Sequence, residues 1–199
     1  MQDHMEAKID ENVLRFKHDL KRLNPLQMVR RHIVHGACMM IPDDTYYELR
    51  ECVAEQFETH PNQVLVVGSG KLGFSVAPHK RYRHFCDTSD IDVVISSERF
   101  FYKIWKYLYN YKENGGYWER FFDFNQYLFQ GWIRPDKLPP DHKCSFAKEW
   151  WEFFNKITSS GLYSKYKVSG AIYFNWEFLE SYHTRAINNC ITALAGDNK

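Results

Sequence analysis

Apolar residues recur along the first part of this chain at three- and four-residue steps. Over residues 6–23, Ile9, Val13, Phe16, Leu20 and Leu23 mark one face of a helix, which Pro25 stops. Residues 26–40 are apolar and basic and predict a short helix ending near Gly36. Pro42-Asp43-Asp44-Thr45 opens the next helix, with Tyr46, Leu49, Val53 and Phe57 as its stripe, and His60-Pro61-Asn62 closes it. The pattern then changes. The apolar runs at 64–67 and 91–95 are short and continuous, as in buried strands. Helical spacing returns over 98–111, closed by Asn114-Gly115-Gly116, and over the aromatic stretch 117–130. A loop follows over 134–141, then a helix over 146–157, a strand over 166–174 and a closing helix over 176–194. Two or three strands inside a mainly helical chain predict an α+β fold. The division expected is a helical segment, 1–60, packed on a core, 61–199, as one compact domain.

Composition narrows the partners. Of 199 residues, 44% are hydrophobic and 17% aromatic, which excludes global disorder. The net charge of +1 gives no overall basic field, so a nucleic-acid partner would need a local patch. Five cysteines are scattered without a C-x-x-C pair, as expected of free thiols in a reducing compartment. The polar start MQDHMEAKIDENV lacks a signal-peptide core, and no apolar run approaches eighteen residues. A cytoplasmic protein with no membrane partner is the expectation.

The stretch 64-VLVVGSGKLG-73 has the spacing Gly68-x-Gly70-x-x-Gly73 of a dinucleotide-binding loop, and 89-SDIDVVI-95 lies about twenty residues on. A nicotinamide dinucleotide site also needs a helix immediately after the glycines and an acid at the C-terminal end of the second strand. Here Pro78 interrupts the following segment, and Asp90 and Asp92 stand at the start of the second strand. A Walker A loop fails because Phe74, not Lys, follows Gly73.

Apolar–Gly–Ser, a spacer, then Asp–apolar–Asp–apolar resembles the polymerase-β-like nucleotidyltransferase superfamily. Val67-Gly68-Ser69 and Asp90-Ile91-Asp92-Val93 carry the resemblance, and Ser89 completes an S-D-I-D typical of small bacterial members. It covers roughly 64–95. What it implies is a small mixed sheet flanked by helices, with extra N- and C-terminal helices. The implied activity is metal-dependent transfer of a nucleoside monophosphate from an NTP to a hydroxyl or phosphate acceptor. The implied alternative is a catalytically degenerate nucleotide-binding or interaction module, working with RNA or with a partner protein from the same operon in a toxin–antitoxin or phage-defence assembly.

Strand periodicity puts Asp90 and Asp92 on one face. Paired carboxylates suit Mg²⁺ or Mn²⁺, which take oxygen ligands and leave positions for phosphates. Gly68, Ser69 and Gly70 would open the backbone to a triphosphate, with Lys71 adding charge. Lys80, Arg81 and Arg83 lie in the spacer, as candidates for phosphate or nucleic-acid contacts or as plain surface. The strand 166–174 contains no acid for the third carboxylate usual in active members, so Glu177 and Asp123 are the substitutes considered. The aromatic segments 117–136 and 150–154 are either core or base-stacking platforms. His32 and His183 read as structural.

Overall fold

The computed structural model describes residues 2–163 and 165–196. Within these, eight α-helices surround a four-stranded mixed sheet. The strands are β1 (Val64–Val67), β2 (Ile91–Ser96), β3 (Trp132–Ile133) and β4 (Val168–Tyr173). Their spatial order is β1-β2-β4-β3. β1 runs antiparallel to β2, β2 parallel to β4, and β3 antiparallel to β4.

Alternation along the strands divides the interior into two layers. Val64, Val66, Ile91, Val93, Ile95, Val168 and Ile172 point to one side. There they meet α3 (Asp43–Gln56), α5 (Glu98–Glu113) and α7 (Ser145–Ser159) through Leu49, Val53, Ile104, Trp150 and Phe154. Leu65, Val67, Val94 and Tyr173 point to the other side, with α1 (Gln2–Leu20), α2 (Pro25–Val29) and α8 (Trp176–Gly196) supplying Phe16, Met28, Leu179 and Ile187. Residues 2–60 are therefore shared between both faces of the sheet.

Local chemistry fixes the ends. Asn24 and Gln27 form a reciprocal capping box at the start of α2. The chain then widens into one π-helical turn, Arg30–Val34. Ser97 caps α5 by accepting a hydrogen bond from the Phe100 N–H, and Gly115 turns the chain at its far end with φ +84°. The helix expected over 117–130 forms only as α6 (Phe121–Phe129), and β3 follows it. That strand is too short to leave a periodic signal.

The glycine stretch is not an open turn. Gly68–Leu72 forms a five-residue helix, α4, entered through Gly68 at φ +64° and left through Gly73 at φ +83°. All five cysteines are free. No helix among the described residues is long and apolar enough to cross a membrane.

Candidate functional site

Asp92 lies on the β2 face that carries Val94, turned toward α8. Its antiparallel neighbour is Val67, the last residue before α4, and its parallel neighbour is Ser169 on β4. The Ser169 hydroxyl donates to Asp92 Oδ1 at 3.1 Å. Gly68 sits directly over the other oxygen: a Cβ there would stand 3.1 Å from Asp92 Oδ2. Backbone therefore approaches the carboxylate closely, at a position whose φ of +64° also favours glycine. Asp90 enters the same cleft from the residue before β2.

That cleft has a volume of ≈ 670 Å³. One end carries Gly68, Ser69, Asp90, Asp92, Lys80 and Ser169. A side chamber of ≈ 180 Å³ shares Ser69, Lys80, Asp90 and Asp92 and adds Arg83 and His84. The other end is aromatic. Trp132 and Tyr173 stack with ring centroids 5.5 Å apart and planes 10° from parallel. Tyr182 meets Trp132 edge-on at 4.7 Å, and the Arg134 guanidinium lies 5.3 Å from the Trp132 ring.

The electrostatics favour a cation at the polar end. Burial raises the Asp92 pKa; the Ser169 hydrogen bond opposes it, the Asp90 charge adds to it, and Lys167 opposes it. A half-buried carboxylate with one hydroxyl donor is short of positive charge. Among the described residues, no group of three or more His, Cys, Asp or Glu side chains is gathered as metal ligands. The donors at hand are two carboxylates, which suits an ion that keeps its other positions for water and phosphate. Asp90 and Asp92 would hold Mg²⁺ or Mn²⁺, and such an ion neutralises phosphate charge when bound.

Several residues singled out in the sequence lie elsewhere. Lys71 is 3% exposed, and its Nζ donates to the Gly36 carbonyl in a separate cleft behind α4. Helix geometry is the reason: residues two apart point about 200° apart, so Ser69 facing the carboxylates turns Lys71 away. Gly70 faces inward, where a Cβ would stand 3.3 Å from Val66. Glu177 is exposed in the first turn of α8, its N–H bonded to Asn175 Oδ1. Asp92 pairs with Ser169 near the start of β4, whereas Glu177 follows the other end of that strand. Four strand residues, about 13 Å, separate those ends. Asp123 is exposed on α6 with Lys137 Nζ 3.7 Å away. Of the spacer cations, Lys80 and Arg83 line the site; the Arg81 Nε donates to the Pro78 carbonyl.

Other contributors had no sequence signal. Asp136 lines the cleft, but Arg134 grips both its oxygens, at 2.9 and 3.1 Å, and Lys137 lies 3.4 Å away. Burial pushes its pKa up; these cations outweigh that and bring it below the ordinary value. His183, expected to be structural, lines the aromatic end with its Nε2 buried and unpaired. Burial lowers its pKa to about 4, so the ring is neutral at pH 7. His32 is buried, with its Nε2 3.0 Å from Asp19 Oδ2. The segments 117–136 and 150–154 divide: Trp118, Phe124, Trp150, Phe153 and Phe154 are core, Phe122 and Phe129 are exposed, and Trp132 faces the cleft.

Compared with known proteins, the chain matches no family model, no curated protein and no solved structure.

Proposed function

We propose that the cleft is a metal-dependent NTP site of the nucleotidyltransferase type. One observation carries the reading. Gly68-Ser69, Asp90 and Asp92, distant in sequence, converge on one end of a nucleotide-sized cleft whose opposite end is aromatic. The carboxylates would hold Mg²⁺ or Mn²⁺. Ser69, Lys80 and Arg83 would meet the phosphates, and the Trp132–Tyr182 surface would stack a base. The acceptor would be a hydroxyl or phosphate.

Ser169 favours a second reading. On β4 it stands beside Asp92, where a third carboxylate could activate an acceptor hydroxyl. Losing a general base costs typically 10²–10⁴ in rate. The site would then bind nucleotide without appreciable turnover, as a module that signals occupancy to a partner such as an operon-encoded protein or RNA. The nicotinamide dinucleotide alternative has less support: α4 has five residues, too few for a crossover helix.

Calorimetric titration with MgATP tests the site, and incubation with each labelled NTP tests turnover. Binding that needs Mg²⁺ and disappears in Asp90→Ala/Asp92→Ala supports the site. Equal affinity in EDTA, or in the double variant, overturns it. Pyrophosphate release distinguishes transferase from binder.

A further inference from the structure

The face of α4 opposite Ser69 borders a second cleft, ≈ 840 Å³ in volume. Its walls come from α1, the π-helical turn, the 35–42 loop, the first residue of α3 and the end of α4. Four cations line it, Lys8, Arg15, Arg31 and Lys71, against one carboxylate, Asp43. Asp19, behind the wall, holds Arg31 Nε and His32 at 3.0 Å each.

Lys71 is the unusual member. Its ammonium is buried, donates to the Gly36 carbonyl, and among the described residues has no ion pair and no other hydrogen bond. Tyr46 adds only a ring face, 5.7 Å from Nζ. An ammonium has three donors, and burying one without a counter-ion is costly. Burial lowers its pKa accordingly.

The surroundings are built rather than loose. Asn12, 7% exposed, donates to the Leu72 carbonyl at 2.7 Å and accepts from Arg15 Nη2 at 2.7 Å, which fixes the guanidinium at the rim. The loop floor is pinned to α4: Cys38 Sγ lies 3.1 Å from the Gly70 carbonyl, and the Met39 N–H donates to the Lys71 carbonyl at 3.0 Å. A fixed guanidinium, a second one at the rim and a buried ammonium match the recognition of phosphate oxygens. Among the described residues no Phe, Tyr or Trp lines this cleft, and its rings are the imidazoles of His32 and His35.

We infer that this second cleft binds the oligophosphate group of a small ligand, with Arg15 and Arg31 at its rim and Lys71 at its base. Two sources carry that group, free inorganic polyphosphate and a nucleotide. The site is independent of the carboxylates across α4, so it stands or falls separately from the NTP reading.

The test is titration of the full chain with sodium tripolyphosphate in EDTA at low salt, followed by calorimetry. Saturable binding is expected, retained in Asp90→Asn/Asp92→Asn. Arg15→Gln/Arg31→Gln should weaken it at least roughly tenfold, the scale of a lost charge-assisted contact. Lys71→Met should weaken it further; if that variant fails to fold, the rim variant decides alone. ATP competing for the same site in EDTA would make the source a nucleotide; ATP failing to compete would make it the inorganic anion. Either result supports the site. Absence of saturable binding overturns it, as does equal affinity in the rim variant or displacement by equimolar sulfate.

Discussion

Asp92 and His183 border the same cleft, one at its polar end and one at its aromatic end, and burial disfavours the charged form of each, raising the Asp92 pKa and lowering that of His183. For His183 the consequence for stability has a definite sign. Its folded pKa, about 4, lies below the ordinary value near 6.5, so the unfolded chain binds the extra proton first. The stability associated with the neutral ring is present above pH 6.5 and is lost as pH falls toward 4. Between pH 7 and 4.5 the loss should be about 2–3 kcal/mol from this group. Urea unfolding of wild type and His183→Phe at both pH values checks it. The stability difference between the two proteins should shift by that amount in favour of the variant at acid pH. An unchanged difference would mean that the ring is solvated.

At the scale of the element, α4 decides which residues can act together. The β-strands around it were readable from apolar runs, and Asp90 and Asp92 could be assigned one face from strand period alone. The helical form of Gly68–Leu72 is not readable: three glycines within six residues look like an open loop, and the helical turn is held by the burial of Leu72 and by long-range hydrogen bonds to the carbonyls of Gly70, Lys71 and Leu72. Spacing alone groups Lys71 with Ser69, whereas the helix sends it to the other side. Ser169 was illegible for a different reason, since register between strands nearly eighty residues apart leaves no local pattern. Two glycine substitutions separate function from packing. Gly68→Ala meets both a positive φ and the Asp92 carboxylate, so it should cost about 1–2 kcal/mol and weaken MgATP binding. Gly170→Ala places a Cβ 2.3 Å from Phe154 Cζ on the opposite face of the sheet. It should destabilise by about 1–3 kcal/mol and, because its Cβ points away from the cleft that its backbone borders beside Ser169, weaken MgATP binding by the folded protein less than Gly68→Ala does. Thermal unfolding paired with calorimetry reads both quantities. The spacer cations are distinguished in the same assay: Lys80→Ala and Arg83→Ala should each weaken MgATP binding, and Arg81→Ala should not, because only the first two line the site.

Across the whole molecule, the sheet holds helices on both faces, and the face bearing Asp92 opens into one cleft on each side of α4. The α+β class and the order of the longer helices follow from periodicity, because burial dictates it. The position of α1 and α2 on the same face as α8 did not, since helix stripes say that a face is buried but not against what. This arrangement makes ligand stabilisation a global property: the carboxylate cleft is bounded by β1, β2, β4 and α8, so a ligand there ties the start of the sheet to the last helix. A ligand that binds only the folded state, at a hundred times its Kd, adds about 2.7 kcal/mol of apparent stability. For a chain of this length that is a rise of about 5–10 °C in Tm. MgATP or MgGTP should produce such a rise, and Asp90→Ala/Asp92→Ala should abolish it without lowering the ligand-free Tm by more than a few degrees. NAD or NADP should leave wild type unmoved, because five helical residues after β1 cannot cradle a pyrophosphate as a full crossover helix does. A shift with NAD and none with either NTP would reverse the assignment of this cleft, returning the glycine spacing to the dinucleotide reading.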